Sequence, residues 1–372
     1  TTQIINRLRK YFGDQIGVYH SKFNQNERVE VWNEVLKGRR FPIILGARSA
    51  LFLPFQKLGL VIVDEEHENT FKQYNPAPRY NARDAALVCA KMHQGKVLLG
   101  SATPSLESYT NAKNEKYGLV TLSERFGGVE MPEVEIVDIK YVRHRKQMKG
   151  AFSPYLLEKI QEALDKEEQV ILFQNRRGFA PLSECQTCGW TSKCSSCDVS
   201  LTYHKKINLL KCHYCGYSET PVRKCKACGG MELLVKGIGT EKIEEELQPF
   251  FSESVIKRMD LDTTSKKYAH QEIISDFENK RIDILIGTQM VTKGLDFDNV
   301  SIVGVLNADT MLNFPDFRSH ERAYQSMTQV SGRAGRKKKR GKVIIQTYSP
   351  DHPVINAVKE NNYHAIFNEE MK

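Results

Sequence analysis

Eight cysteines between Cys185 and Cys228 form four C-x-x-C pairs: Cys185/Cys188, Cys194/Cys197, Cys212/Cys215 and Cys225/Cys228. Each pair can grip a metal from a tight turn, and two pairs complete a tetrahedral thiolate shell, so the set fits two zinc ions. A disulfide framework is the competing reading. Cysteine frameworks of that kind belong to small secreted domains, whereas this chain is lysine-rich and 372 residues long. Four pairs allow three partnerings. The spacer 198–211 between the inner pairs is close to zinc-ribbon spacing, which favours a nested arrangement: Cys194, Cys197, Cys212 and Cys215 on one ion, Cys185, Cys188, Cys225 and Cys228 on the other. Sequential pairing would leave only residues 189–193 between the pairs of its first site. His204 and His213 lie within the block, but eight thiolates already fill two shells, and neither is counted as a ligand. Cys89 stands apart.

Four further runs carry groups suited to phosphate chemistry. LVIVDEEH (60–67) is an apolar strand ending in carboxylates, and open α/β sheets bind nucleotides at strand carboxyl ends. There Asp64 could hold Mg²⁺ through water and Glu65 could orient or deprotonate an attacking water; a solvated acidic strand end is the plainer reading. LLGSATPS (98–105) brings the hydroxyls of Ser101 and Thr103 to the end of a later strand, where a helix N-cap would also use them. DILIGTQMVTKGLDF (283–297) runs into a loop in which Gly287, Thr288 and Lys293 could hold phosphate. QVSGRAGR (329–336) supplies Arg333 and Arg336, permanently charged forks that fit phosphate oxygens when they are not simply surface arginines.

Short apolar runs alternating with amphipathic stretches must position these groups, which is the pattern of parallel βα units. Helices are expected at 2–12, 26–36, 82–93 and 105–112, with strands at 17–20, 42–45, 60–63 and 96–99. Residues 124–150 hold FGG, MPEVE and the charged run RHRKQMK and read as a linker. A second unit opens with a helix at 154–164 and a strand at 169–173, is interrupted by the cysteine block, and resumes with strands at 233–236, 255–259, 283–286, 300–305 and 342–347. Its further helices are expected at 241–248, 269–279 and around 320–330. The expected division is therefore 1–123 for lobe one, 124–150 for the linker, 151–184 and 231–350 for lobe two, 185–230 for the zinc insertion, and 351–372 for the start of a further domain.

The net charge of +9 is compatible with a polyanionic partner without requiring one. No apolar run of about 18 residues is present to span a membrane, and no signal peptide is evident. The chain opens and closes inside helical patterns, without an initiator Met, and contains no G-x-x-x-x-G-K-[ST]. It is therefore expected to be a fragment.

DEEH, GSAT, GTQMVTKGLDF and QVSGRAGR, in this order, resemble motifs II, III, V and VI of superfamily 2 helicases. DEEH followed by FKQYNPAPRYNARDAA, the cysteine block directly after ILFQNRRGF, and GIGTEKIEEEL just beyond it narrow the resemblance to the primosomal replication-restart DNA helicases. That resemblance covers essentially the whole chain, and it implies that this is a central fragment whose phosphate-cradling loop lies upstream of Thr1, inactive as an ATPase by itself. It implies an α/β fold of two RecA-like parallel-sheet lobes, the first truncated, with a two-zinc Cys-rich insertion in the second. It implies an ATP-dependent 3′→5′ translocase of stalled or recombination-derived forks that starts primosome assembly. By it, Asp64, Glu65, His67, Gly294, Asp296, Gln329, Arg333 and Arg336 would serve Mg²⁺–ATP. Arg48, Ser49, Tyr74, Arg79, Tyr80, Gly239, Thr240, Thr288 and Lys293 would face DNA. Phe71 and Arg83 would join the aromatic-rich DNA loop, and Arg176 and Arg177 an interlobe face. Primosome proteins and single-strand binding protein would be partners of a cytoplasmic, nucleoid-associated monomer. Lys337–Lys342 could reach the DNA backbone or remain a solvated loop. A second reading, from a different class, is a non-catalytic zinc-ribbon binding module on a helicase-like scaffold, which the missing phosphate loop would permit.

Overall fold

The computed structural model describes the chain except residues 1, 21–22, 39, 125–127, 176–182, 205–206, 235–238, 261–262, 265–268, 293–296 and 336–339. It divides into two compact units, Thr1–Val120 and Thr121–Lys372.

In the first unit, α1 (Thr2–Phe12) leads into β1 (Ile16–Tyr19), α2 (Gln25–Lys37) and β2 (Ile43–Gly46). Asn24 and Glu27 form a capping box that satisfies the first N–H groups of α2, and Gly38 at φ 65° ends it in the left-handed conformation that glycine adopts without strain. Strand β3 (Leu60–Asp64), α3 (Ala82–Met92), β4 (Lys96–Gly100) and α4 (Leu106–Lys113) follow. The strands pair as two parallel ribbons, β1 with β2 and β3 with β4, with Asp64 opposite Gly100. Tyr19, Val31, Val35, Ala50 and Leu53 form a small core.

The second unit opens with β5 (Glu133–Asp138), α5 (Ile139–His144), α6 (Pro154–Leu164) and β6 (Gln169–Phe173). Short strands β7 (Glu184–Cys185), β8 (Thr202–His204), β9 (Leu209–Lys211), β10 (Ser218–Glu219) and β11 (Leu233–Leu234) build the cysteine module. Then come α7 (Thr240–Leu247), β12 (Ile256–Met259), α8 (Ala269–Glu278), β13 (Ile284–Gly287), α9 (Gln289–Thr292), β14 (Val300–Val305), α10 (Asp309–Leu312), α11 (Ser319–Ser331), β15 (Lys342–Thr347), α12 (Pro353–Lys359) and α13 (Tyr363–Glu370). Six strands form one parallel sheet in the order β12-β13-β6-β14-β15-β5. Both faces are covered, one by a cluster that includes Phe173, Phe277, Tyr324 and Met327, the other by Leu156, Ile160, Ile243 and Leu247. Strands buried on two faces read as continuous apolar runs, as QVILF does.

Three expected boundaries change. Residues 124–150 are not only a linker: β5 is the sheet's edge strand, paired residue by residue with β15. Its acidic positions hid it, because an edge strand tolerates charge; Lys342 donates to Glu135, and Val137 enters the core. Residues 233–234 join no motor sheet but pair antiparallel with β7, closing the base of the cysteine module; 235–236 lie outside the described residues. Residues 351–372 do not begin a separate domain, since Val354, Ile355, Ala357, Val358 and Ile366 belong to the main core of the second unit.

Candidate metal centres and nucleotide-site residues

Two groups of four sulfurs form, Cys185/Cys188/Cys225/Cys228 and Cys194/Cys197/Cys212/Cys215, with the ligand atoms of each within 4.8 Å of one another. This is the nested partnering. Sγ–Sγ separations are 3.7 Å for Cys185–Cys228, 3.6 Å for Cys188–Cys225 and 3.5 Å for Cys194–Cys215. Tetrahedral zinc with Zn–S bonds of about 2.3 Å spaces its sulfurs by about 3.8 Å, so both groups fit the ion. Gly189, Gly216 and Gly229 each follow the second cysteine of a pair at φ 74°, 80° and 74° and return an N–H to the first cysteine's carbonyl, closing the turn. Burial raises the Cys212 and Cys225 thiols, but neighbouring backbone N–H groups outweigh it and bring both down to about 7. Burial and the facing thiols push Cys188 up to about 12; at Cys197 the facing thiols lead. Four thiols this close cannot all ionise without a cation between them, and zinc supplies that charge.

The inner group stands on its own core of Val199, Leu201 and Leu210. The outer group is joined to the sheet. The Tyr348 hydroxyl donates to the Gln186 carbonyl at 3.3 Å, and a Cβ on Gly189 would meet the Tyr348 side chain at 2.5 Å. Glu184, beside Asp309, is pushed up to about 7 by burial and by that carboxylate, against the pull of Arg143. Cys89 belongs to the first unit, where its Sγ lies 3.9 Å from the Leu51 carbonyl.

In the first unit, Asp64 is exposed at the end of β3, and Glu65 follows at φ 51°. The turn directs successive carboxylates to different work. Glu65 Oε2 lies 3.7 Å from His67 Nδ1, which is 2.7 Å from Ser101 Oγ, and Ser101 Oγ accepts from the Thr103 N–H at 3.0 Å. A continuous polar path thus joins the end of β3 to the end of β4. Glu66, only 2 % exposed, accepts from the Ser105 N–H at 2.6 Å and from Arg83 Nη1 at 3.1 Å, and is also bonded by the Ser105 and Ser108 hydroxyls. Sequence reasoning passed over Glu66; its place at the end of the acidic run Asp64–Glu66 hid an anchor for α4, capped by Ser105.

Arg83, read as a DNA-facing charge, is engaged by Glu66 and Asp84 instead; burial opposes its charge, and these carboxylates outweigh burial and raise its pKa. Arg48 donates to the Lys72 carbonyl at 2.7 Å, bracing the aromatic-rich loop, while Ser49 beside it is exposed. That loop is stapled by Lys72 and Gln73, whose side chains donate to the carbonyls of Arg79, Pro76 and Pro78. Tyr74 and Arg79 are exposed on it, Phe71 is half-buried, and Tyr80 packs edge-on to Phe52 at 4.9 Å.

In the second unit, Gly287, Phe173 and Val305 lie side by side at the carboxyl ends of β13, β6 and β14. Thr288 follows and is 5 % exposed. A Cβ on Gly287 would lie 2.1 Å from Val291, so the chain turns there only with glycine. The Thr240 side chain is not presented to a phosphate: it is fully buried and its hydroxyl donates to Asp260 at 2.6 Å. Gly239 is the N-cap of α7. Gln329 lies in the last turn of α11, and Arg333, just beyond it, is 7 % exposed. Arg340 donates to the Met131 carbonyl, and Lys342 is an ion-paired strand residue. Arg176, Arg177, Lys293, Gly294, Asp296, Arg336 and 337–339 lie outside the described residues.

Comparison with known proteins agrees along the chain. Residues 1–112 match the DEAD/DEAH box helicase family, 234–338 the helicase conserved C-terminal domain, and 194–219 the PriA DNA helicase Cys-rich region domain. The chain is 45 % identical over its whole length to replication restart protein PriA of Bacillus subtilis, covering 46 % of that protein. It is 41 % identical to the Haemophilus influenzae PriA, again over the whole chain and covering 50 % of the relative. The chain therefore spans about half the length of the curated relatives it matches. Among solved structures, RecG bound to a three-way DNA junction aligns with a TM-score of 0.53 at 13 % identity, over 100 % of this chain and 38 % of that one. A DUF1998 helicase, MrfA, bound to DNA aligns at 0.51 and 13 % identity, over 99 % and 40 %. Those likenesses establish the RecA-like helicase fold, and the identity along the whole chain together with the PriA-type cysteine region makes the chain similar throughout to about half the length of the PriA replication restart proteins.

Proposed function

We propose that the chain is the motor and zinc-binding part of an ATP-dependent 3′→5′ DNA helicase that acts at stalled or recombination-derived forks and initiates primosome assembly. One observation carries this reading: 45 % identity to a replication restart protein runs unbroken through both motif-bearing units and the cysteine module between their motifs. Asp64, at the end of β3, would hold Mg²⁺ with ATP, and Glu65 would orient or deprotonate the attacking water. The His67–Ser101 contact would pass a change at Glu65 from β3 to β4 and so relate nucleotide state to the DNA-facing surface. His67, Gly294, Asp296, Gln329, Arg333 and Arg336 would complete the nucleotide-binding groups, with the two arginines stabilising phosphoryl charge. Tyr74 and Tyr80, with Arg79, supply stacking faces and charge for single-stranded DNA; Arg48, Ser49, Thr288, Lys293 and the backbone at Gly239–Thr240 supply contacts to its backbone. Zinc, fully coordinated by sulfur, is structural. The protein would work as a monomer in the cytoplasm at the nucleoid, with primosome proteins and single-strand binding protein as partners. Among the described residues no helix is long and apolar enough to cross a membrane.

The deciding measurement is ATP hydrolysis by the full-length protein with and without forked DNA. DNA-stimulated turnover that falls in Glu65→Gln supports the assignment. Turnover unchanged by that substitution removes Glu65 from the role, and no DNA stimulation at all removes the helicase reading.

A further inference from the structure

His204 and His213 have no part in either thiolate shell, yet they face one another. Their Nε2 atoms are 2.9 Å apart, and their ring centroids 5.1 Å apart at an interplanar angle of 54°. Both residues are held on fixed backbone. His204 ends β8, whose pairing with β9 sets it opposite Leu209, and the Tyr203 hydroxyl donates to Asn208 at 3.0 Å across the turn between the strands. His213 lies in the turn of the inner thiolate group, where the Gly216 N–H returns to the Cys212 carbonyl at 3.1 Å.

We propose that His204 and His213 form a third metal site, open at the surface of the cysteine module, that takes a borderline divalent cation of the Zn²⁺ type. With metal–nitrogen bonds of about 2.05 Å, two imidazoles on a tetrahedral ion have ring centroids about 5.2 Å apart and nitrogens about 3.3 Å apart. The centroids already stand at the first distance. The nitrogens now point almost straight at one another; rotation of each ring by about 35° opens them to the second distance, and each ring then ligates through the Nε2 lone pair with its proton on Nδ1. Two protein ligands leave two positions for water, so this site differs in kind from the closed sulfur shells. It binds weakly and exchanges, because the protein supplies only two of its ligands. Nitrogen ligands also set it apart spectroscopically, since a bound metal shows no sulfur-to-metal charge transfer.

The test uses the intact chain with its two thiolate sites filled with zinc. Added Zn²⁺ is followed by equilibrium dialysis and added Co²⁺ by visible difference spectra. The wild type is expected to take up a third, saturable equivalent whose cobalt spectrum lacks thiolate charge-transfer bands. His204→Ala and His213→Ala should each weaken that equivalent by about tenfold or more, through loss of the second tethered ligand. Retention of two tightly held zinc ions certifies that the variants are folded; His204→Gln replaces His204→Ala if that variant loses zinc. The proposal is overturned if the wild type binds no saturable third equivalent, if both variants bind it equally well, or if added cobalt reports thiolate ligation.

Discussion

Within Asp64–His67 the chemistry divides by burial. Asp64 is exposed and Glu65 is half-exposed, whereas Glu66 and His67 are 2 % and 9 % exposed. The first two are open to solvent, and the other two tie the strand end to its neighbours. Glu65→Gln keeps shape and would remove the proposed base, so the DNA-stimulated kcat of the full-length protein should fall by about 100-fold or more while the melting temperature stays level. Glu66→Ala should act the other way. It leaves the Arg83 guanidinium with only Asp84 of its two carboxylate partners and the Ser105 N–H without an acceptor. The expected loss is about 3 kcal/mol, read by denaturant unfolding of the first unit; an unchanged midpoint would contradict the anchoring role. A strand ending in DEEH shows that carboxylates gather here, and that much was legible in sequence. Which carboxylate turns inward depends on Glu65 adopting φ 51°, a conformation the side-chain pattern does not encode.

The cysteine module shows where element-level reading works and where it stops. Spacer lengths favoured nested pairing without deciding it: the inner spacer is close to zinc-ribbon length, and sequential pairing would cramp its first site. The module's attachment did not follow, since Tyr348, Asp309 and Glu184 come from three separate stretches that only the sheet brings together. The same holds for β5, whose partner β15 lies some 200 residues onward. The two metal groups are consequently unequal. Cys188→Ser, in the group packed on Tyr348, should lower the melting temperature of the second unit clearly. Cys197→Ser should release one zinc and loosen the region 194–219 with little effect on the sheet, as hydrogen exchange would report. Equal losses of stability would refute the distinction. Helix α12 carries a pH dependence. His352 caps it by accepting the Val354 N–H, and burial, then the charges of His320 and Lys193, lower its pKa from 6.5 to about 4. The folded state thus disfavours its proton, and stability present above about pH 6.5 is lost as pH falls toward 4. His352→Asn keeps a capping acceptor and cannot titrate. Its stability relative to wild type should rise across that window, and a flat difference would exclude His352 as the source.

At the scale of the whole molecule, the alternation of apolar runs with amphipathic stretches announced parallel α/β units correctly, down to the limits of α6, β6, β14 and β15. It could not announce sheet order, because strands buried on both faces look alike in sequence and nothing local says which neighbours which. That gap conceals a difference between the units. The second has one six-stranded sheet covered on both faces. The first has two separate two-stranded ribbons and leaves Leu60, Ile62 and Leu98, neighbours on one face of β3 and β4, more than half exposed, along with Val88 and Met92 on α3. Two-stranded ribbons are marginal in water, and contiguous apolar surface promotes association. Residues 121–372, produced with zinc, should therefore unfold as a cooperative monomer with a single sharp transition. Residues 1–120 produced alone should bind a hydrophobic dye, unfold broadly and associate as concentration rises. Denaturant unfolding and light scattering on the two segments decide the matter. A sharply melting, monomeric first segment would mean that its small core around Tyr19, Val31 and Leu53 suffices without cover for β3 and β4.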